Sequence, residues 1–245
     1  MLKIKNLSKH FGGIKAVDNC SFEIKKNTIT SLIGPNGSGK STVFNLISGV
    51  IKNDSGRIIF NKKNISNLSP EKISNLGIAR LFQKAQLFDN LTVKENLLLA
   101  IDNEDTKFWK NLFGINHVSK AKEQKVADML DLVDMRRHEN KLGRELSYGQ
   151  KRLIEIARTI LNPSTLLMFD EPVAGVNPKL RKKISELLLD LKKQGATIVL
   201  IEHDMDFALK LADKVVVLDE GSVIAQGKPA TIRNSKKVLE AYLGD

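Results

Sequence analysis

The segment that most constrains the fold is GPNGSGKST, which occupies residues 34–42. It fits the pattern G-x-x-x-x-G-K-[ST] and lies between an apolar segment at 29–33 and a predicted helix at 41–48. A strand, a glycine-rich loop and a helix in this order form a phosphate-binding P-loop. The sequence therefore predicts an α/β fold with the loop at the carboxyl edge of a covered, mostly parallel sheet.

This loop assigns phosphate-binding roles to particular residues. Its backbone N–H groups and the helix N-terminus attract phosphate, Lys40 reaches the β and γ phosphates, and the Ser41 hydroxyl is a ligand for Mg²⁺. The predicted nucleotide-binding residues here are Gly34, Pro35, Asn36, Gly37, Ser38, Gly39, Lys40, Ser41 and Thr42.

Two adjacent carboxylates follow a second apolar segment, at 165–169. Asp170 and Glu171 would then lie at the carboxyl edge of the sheet, close to the P-loop. We expect Asp170 to hold the water shell of Mg²⁺ and Glu171 to accept a proton from the water that attacks the γ phosphate.

A second phosphate-binding device comes later in the chain. Residues 146–150, LSYGQ, form a serine-started turn that opens a helix, with Leu153, Ile156, Ala157 and Ile160 on one face. The residues alone do not explain why one chain carries two such devices. Spacing alone also leaves three other residues undecided: His203 and Gln83 could be ordinary hydrogen-bonding residues, and Phe11 is more typical of a core residue.

Composition excludes several classes of protein. The net charge of +11 is scattered in short groups without interleaved aromatic residues, which disfavours nucleic acid as a partner. A single cysteine, Cys20, permits no intramolecular disulfide and favours a reducing compartment. No apolar run approaches the ~20 residues of a membrane span, and the N-terminal segment does not resemble a signal peptide, so we expect an intracellular chain.

Strands and helices alternate on both sides of a mostly helical block at about 92–160. Within the block, Thr92 and Glu95 form a capping box, and Val126, Met129, Leu130 and Val133 have helical spacing. The segment 102–117 fits a loop or a short helix, whose apolar residues either pack beneath the helices or contact a partner. The predicted strands are 2–7, 16–24, 29–33, 56–60, 78–82, 166–169, 197–201, 215–218 and 223–225, the last two forming a hairpin. Further helices are predicted to start at 69–71 and 177–178 and to end the chain at 242–243.

The order of these motifs closely resembles the ATP-binding cassette subunits of ABC transporters over essentially the whole chain. The resemblance rests on the P-loop, Gln83, LSYGQ, Asp170-Glu171 and His203. It implies a P-loop NTPase core with an N-terminal antiparallel β subdomain and an inserted helical subdomain. Residues 1–245 would form one domain, with the catalytic core and β subdomain at about 1–90 and 161–245 and the helical subdomain at about 91–160.

The resemblance also gives roles to the undecided residues. Phe11 is implied to stack on adenine, with Val17 as a further nucleotide contact. Gln83 is implied to touch Mg²⁺ and the membrane partner, and His203 to face the γ phosphate. Ser147, Gly149 and Gln150 are implied to bind the γ phosphate of ATP held by a second cassette, identical or a sister chain, which explains the two phosphate devices.

Two departures from the usual family pattern are informative. Tyr148 stands where glycine is common, and PVAGVNP at 172–178 departs from the commoner segment. With IEHDM at 201–205 and the C-terminal tail, they resemble the branched-chain amino acid importer branch. This implies a peripheral subunit on the cytoplasmic side of the plasma membrane, with transmembrane permease subunits and, indirectly, an extracytoplasmic substrate-binding protein.

Other functions stay open. Cassettes for lipopolysaccharide export or urea uptake share similar motifs. A soluble nucleic-acid or ribosome-associated ATPase is disfavoured because such proteins usually hold two cassettes in one chain. A nucleotide-binding regulator without hydrolysis is disfavoured by Glu171 and His203.

Overall fold

The computed structural model describes residues 1–81, 87–101 and 119–243 of the chain. Gln83 and the segment 102–117 lie outside the described residues, so the roles and the loop or helix expected for them stay predictions. Backbone packing divides the chain into two compact units. The first comprises 1–80, 165–171 and 188–245, and the second comprises 81–164 and 172–187. The functional division into a catalytic core and a helical subdomain stays a prediction.

The N-terminal sheet is antiparallel, with the strand order β2-β1-β4-β5. Its strands are β1 (Leu2–Phe11), β2 (Ile14–Ile24), β4 (Ser55–Phe60) and β5 (Lys63–Asn64). β1 and β2 are longer than predicted, because they continue to a hairpin turn where Phe11 pairs with Ile14. The alternation of buried and exposed residues breaks after Ile4, where the register shifts and Asn6 has a positive φ of 47°. Such a bulge hides the continuation of a strand from a period-two pattern.

The central sheet has the strand order β10-β9-β3-β8-β7-β6. Its strands are β3 (Ile29–Ile33), β6 (Ile78–Leu81), β7 (Leu166–Asp170), β8 (Thr197–Ile201), β9 (Lys214–Asp219) and β10 (Ser222–Gly227). β3 runs parallel to β8 and β9, and β7 runs parallel to β8. β10 pairs with β9 as the predicted antiparallel hairpin. The predicted fold class is confirmed.

The helices begin where their capping residues predict. Thr92 and Glu95 exchange the two bonds of a capping box, at 2.7 and 3.2 Å, and Asn177 Oδ1 accepts from the Leu180 amide at 2.9 Å. The helices are α1 (Lys40–Ile47), α2 (Pro70–Asn75), α3 (Val93–Ile101), α4 (Lys120–Leu132), α5 (Tyr148–Leu161), α6 (Pro178–Lys193), α7 (Met205–Leu211), α8 (Pro229–Arg233) and α9 (Lys236–Leu243). Short 3-10 helices cover Arg136–His138 and Gly143–Glu145.

Two short helices, α7 and α8, were not predicted. α7 has a signal in the sequence, because Asp204 is its N-cap and accepts from the Phe207 amide at 2.9 Å. Sequence reasoning treated the surrounding residues only as part of a catalytic motif. α8 spans a single turn and a half, which is too short for helical periodicity to be visible.

The core of the first unit is apolar and closely packed. β1, β2 and α1 contribute fully buried residues to one cluster, among them Leu2, Leu7, Val17, Val43 and Phe44. A second cluster forms where α7, α8 and α9 cover β9 and the end of β3. This burial fixes the strand ends from which the site residues emerge. Among the described residues, no helix is both long and apolar enough to span a bilayer.

Candidate active site

The P-loop connects β3 to α1 and is shaped by glycine. Gly39 is the N-cap of α1 and has a φ of 98°, a left-handed conformation that side chains rarely adopt. A Cβ atom at Gly39 would also lie 2.3 Å from the Ala16 carbonyl oxygen. The loop therefore needs glycine here both for its turn and for its close approach to β2.

The ammonium group of Lys40 lies inside the loop. Its Nζ donates to the Gly34 and Pro35 carbonyls at 2.8 and 2.6 Å and to Ser38 Oγ at 3.3 Å. Burial lowers the pKa of Lys40, while the charges of Glu171 and Asp170 oppose that shift. The nearby carboxylates and carbonyls therefore stabilise the charged form that would bind phosphate.

A cavity of about 790 Å³ opens beside the loop, within the first unit. Its wall combines the exposed part of the P-loop with the start of β2, Glu171 and the β9–β10 turn. The predicted phosphate-binding residues that line it are Asn36, Gly37, Gly39, Lys40, Ser41 and Thr42. Gly34, Pro35 and Ser38 instead hold the Lys40 ammonium.

Asp170 ends β7 as a buried carboxylate, with 4% of its surface exposed. Its Oδ2 accepts from Arg80 at 3.0 Å. The same guanidinium donates to Asn45 Oδ1 at 2.7 Å and to Ser48 Oγ at 2.8 Å, both at the end of α1. Sequence analysis did not identify Arg80, although an arginine inside the apolar strand β6 is a signal of a buried ion pair.

Glu171 and His203 lie close together at the ends of β7 and β8. Glu171 has a left-handed backbone with a φ of 48°, and its amide donates to the Ile201 carbonyl at 3.1 Å. His203 Nδ1 lies 3.6 Å from Glu171 Oε1. The turn after β7 thus directs the carboxylate toward the cavity, which it lines, with the imidazole beside it. A non-glycine residue in a strained conformation is typical of a functional position.

Two other predicted nucleotide contacts, Phe11 and Val17, have a less direct relation to the cavity. Phe11 lies at the tip of the β1–β2 hairpin with 48% of its surface exposed, so the interpretation of Phe11 as a core residue is wrong. Its proposed stacking on adenine stays a prediction. Val17 is fully buried in the core, although Ala16 and Asp18 on either side of it line the cavity.

The LSYGQ turn lies in the second unit and is closed by a capping box. The Ser147 amide donates to Gln150 Oε1 at 3.0 Å, and the Gln150 amide donates to Ser147 Oγ at 3.4 Å. Tyr148 Oη donates to the Ala174 carbonyl at 3.1 Å, and its ring lies against Gly175. The two departures from the usual family pattern are therefore in contact with each other.

A second cavity of about 860 Å³ lies beside this turn, entirely within the second unit. Ser147, Gly149 and Gln150 form part of its wall. Its charged residues are mostly cationic: Arg137, Lys179, Lys182 and Lys183, with Asp134 and Glu186. This surface suits an anionic ligand better than a cationic one.

Comparison with known proteins places these features in a family. Residues 17–174 match the ABC transporter family, and residues 222–245 match a family described as branched-chain amino acid ATP-binding cassette transporter. The chain is 39% identical over 246 residues to the probable branched-chain amino acid transport ATP-binding protein LivG of Archaeoglobus fulgidus, covering 100% of this chain and 95% of that protein. It is 37% identical over 250 residues to the high-affinity LivG protein of Escherichia coli K12, covering 100% and 98%.

Solved structures give the same result. A nucleotide-free ATP-binding cassette from an ABC transporter superposes with a TM-score of 0.87 at 34% identity, covering 100% of this chain and 99% of that one. A cassette in its ADP conformation gives 0.88 at 35% identity, with the same coverage. A dimeric cassette in a post-hydrolysis state bound to ADP and Pi gives 0.79 at 27% identity, covering 94% and 99%.

Proposed function

Because this chain belongs to the ABC transporter family of ATP-binding cassettes, we propose that it is the ATP-hydrolysing subunit that powers import of branched-chain amino acids through separate transmembrane subunits. The observation that carries the proposal is the cavity in which the P-loop, Lys40 and Glu171 meet. ATP binding and hydrolysis follow from the family and from this geometry.

The P-loop holds the phosphates of ATP. Its exposed residues present backbone N–H groups to the cavity, and the N-terminus of α1 adds a partial positive charge. Lys40 exchanges its carbonyl partners for oxygens of the β and γ phosphates. The nine predicted loop residues therefore divide into those that contact phosphate and those that place Lys40.

The donor set near the P-loop fits Mg²⁺. Ser41 lines the cavity, and Asp170 ends β7 immediately before Glu171, which lines the same cavity. The Ser41 hydroxyl and the Asp170 carboxylate are hard oxygen ligands, and the described residues contain no cluster of three His, Cys, Asp or Glu that would hold a metal without a phosphate ligand. Bound there with ATP, Mg²⁺ would neutralise phosphate charge, and Gln83 is a further proposed ligand.

Glu171 is the proposed general base. It accepts a proton from a water molecule that attacks the γ phosphate, and Lys40 stabilises the charge that develops on the phosphate oxygens. His203, 3.6 Å from Glu171, orients this carboxylate and faces the γ phosphate. General bases of this kind contribute roughly 10²–10⁴-fold to rate.

The LSYGQ turn completes the site of a second cassette. Ser147 and Gly149 would bind the far end of ATP held by the P-loop of a partner, so that ATP joins two chains head to tail. Two solved structures of one similar cassette are dimeric, and one of them is bound to ADP and Pi. Hydrolysis removes the shared phosphate and lets the two chains separate.

The proposed cargo is a branched-chain amino acid. The C-terminal match at 222–245 and the names of the full-length relatives support it. The chain would sit at the cytoplasmic side of the membrane, bound to permease subunits that work with an extracytoplasmic substrate-binding protein. Isolation of the intact complex and identification of its permease tests the cargo, and a permease for lipopolysaccharide or urea would contradict it.

The central test uses Glu171→Gln, which keeps the shape of the side chain and removes the base. We expect turnover to fall by roughly 10²–10³-fold while ATP binding is retained, and the ATP-bound chain to accumulate as a dimer. Turnover is measured by phosphate release and dimerisation by light scattering, with the isolated chain and with its membrane subunits. Glu240→Gln is the matched control, because Glu240 is an exposed glutamate on α9, away from the P-loop cavity.

The control is expected to keep turnover within about threefold of the parent chain. Turnover in Glu171→Gln equal to that of the parent would instead support a nucleotide-binding regulator without hydrolysis. Full ATP binding without a dimer, even with sister cassettes and membrane subunits present, would contradict the two-chain site.

A further inference from the structure

His138 contacts the LSYGQ turn from a neighbouring 3-10 helix. Its Nε2 lies 2.8 Å from Gln150 Nε2. The backbone of His138 is fixed at both ends: its amide donates to the Met135 carbonyl at 2.9 Å, and its carbonyl accepts from the Lys141 amide at 3.0 Å. Both His138 and Gln150 belong to the second unit and to the wall of its cavity.

The capping box determines which way the Gln150 amide points. The Ser147 backbone N–H can only donate, so the Gln150 atom 3.0 Å from it must be the carbonyl oxygen, Oε1. The NH₂ group of Gln150 therefore faces His138. A donor in that position requires an acceptor on the imidazole, so Nε2 of His138 must carry no proton.

This gives a chain of three groups that ends at the serine of the turn. His138 Nε2 accepts from Gln150 Nε2, and Gln150 Oε1 accepts from the Ser147 backbone N–H. The Ser147 hydroxyl in turn accepts from the Gln150 backbone N–H. We propose that His138 is a positioning residue: in its neutral form it orients Gln150 and thereby holds Ser147 in the geometry that binds the phosphate of a partner's ATP. The inference rests on the proposed role of Ser147 in the two-chain site.

Protonation of His138 would break this arrangement. An imidazolium carries N–H groups on both nitrogens, so Nε2–H would face the NH₂ group of Gln150. Rotation of the amide would relieve that contact, but it would turn NH₂ toward the Ser147 N–H. In the first orientation Gln150 loses its acceptor on the ring and with it the contact that orients it, and in the second the turn loses one bond of its capping box.

The surroundings of His138 favour the neutral form. Burial of the ring lowers the pKa of His138, Lys141 and Arg137 lower it further, and Asp134 opposes them. Across the cavity α6 contributes Lys179, Lys182, Lys183 and Glu186, and Lys183 pairs with Asp134 at 3.2 Å. The neutral form, and the turn geometry with it, is present at neutral pH and is lost as the pH falls through a pKa below the ordinary value.

The test compares His138→Gln with His138→Leu. Glutamine can place a carbonyl oxygen where Nε2 lies and does not titrate, whereas leucine offers no acceptor. ATP-driven association is measured in the Glu171→Gln background, at about pH 5.5 and about pH 7.5, with the cassette partner that this variant is found to bind. Lowering the pH is expected to weaken association of the histidine form about fivefold more than it weakens association of His138→Gln.

At the higher pH, His138→Leu is expected to associate about fivefold more weakly than the histidine form, and His138→Gln to restore association to within about twofold. The inference is wrong if the histidine form and His138→Gln share one pH profile, or if His138→Leu associates like the histidine form. Ser147→Arg separates this failure from failure of the proposed function: normal association of Ser147→Arg would show that the turn does not bind the partner's ATP at all.

Discussion

Tyr148 and Gly175 show how single residues depart from a family pattern together. The tyrosine hydroxyl donates to the Ala174 carbonyl, and a Cβ atom at Gly175 would lie 3.4 Å from the Tyr148 ring. Gly175 also has a φ of 69°. The left-handed backbone favours glycine at position 175, and the Tyr148 ring packs beside it.

Gly175→Ala is therefore expected to destabilise the chain by about 1–2 kcal/mol through backbone strain, because the added Cβ would meet the tyrosine ring only at an ordinary van der Waals distance. Urea denaturation measures the loss. Gly12→Ala is the matched control, because Gly12 has a similar φ of 57° and nothing within 4 Å of the added Cβ. The two losses should agree within about 0.5 kcal/mol, because strain is their common cause. A clearly larger loss at Gly175 that disappears in a Tyr148→Ala background would contradict this and assign the loss to the ring.

Which single residues the sequence could reveal depends on whether their role is local. Lys40, Ser41 and Asp170 have roles set by motifs of neighbouring residues, so their positions in the structure agree with the motif. Arg80 and His138 bond to other segments of the chain. The position of Arg80 inside an apolar strand indicates a buried ion pair without giving its partner, and no local pattern identifies His138. Phe11 shows the opposite error, since an apolar residue was expected in the core but lies at a hairpin tip.

At the scale of elements, the Arg80 guanidinium joins three of them. It bonds to Asp170 on β7 and to Asn45 and Ser48 on α1, while it lies on β6 itself. Burial lowers the pKa of Arg80 and the Asp170 carboxylate raises it. Asp170 is thereby held as an oriented carboxylate at the edge of the sheet.

Arg80→Met should remove the guanidinium that bonds to that buried carboxylate, at a cost of about 3–5 kcal/mol in the free energy of unfolding. The additional change Asp170→Asn should restore part of the loss, because it removes the buried negative charge that Arg80 balances. Urea denaturation of the single and double variants measures both effects. Arg57→Met on the exposed side of β4 is the control, expected within about 0.5 kcal/mol of the parent chain; a similar loss at both arginines would contradict the argument.

Most elements with caps or regular alternation could be predicted, although the capped helix α7 was not. α2, α3 and α6 begin at capping residues visible in the sequence, and the buried strands β3, β7 and β8 are continuous apolar segments. The predicted β1 is too short because a bulge interrupts its alternation, and α7 and α8 are too short for a periodic signal. A sequence pattern indicates only local geometry, whereas a register shift depends on the partner strand.

For the whole molecule, the proposed two-chain site predicts complementation between defective variants. Lys40→Ala removes the phosphate ligand of one device, and Ser147→Arg blocks the other. Each variant alone should neither dimerise with ATP nor turn it over. Where identical copies pair, a mixture should regain up to about half of parental turnover, because neither variant pairs with itself and each mixed pair contains one complete site of two.

Phosphate release from an equimolar mixture measures this recovery. A mixture of Lys40→Ala with a second variant of the same device, Ser41→Ala, is the control and should stay inactive. Recovery in the control, or none in the test mixture with any sister cassette, would contradict a head-to-tail arrangement.

The position of the Lys40 ammonium has a consequence for the chain between transport cycles. Because the loop carbonyls already solvate this cation, the departure of ADP leaves no unsolvated charge in the interior. In a cell with little ATP, the nucleotide-free chain would therefore stay folded. It should also withstand exhaustive removal of nucleotide by dialysis without precipitating.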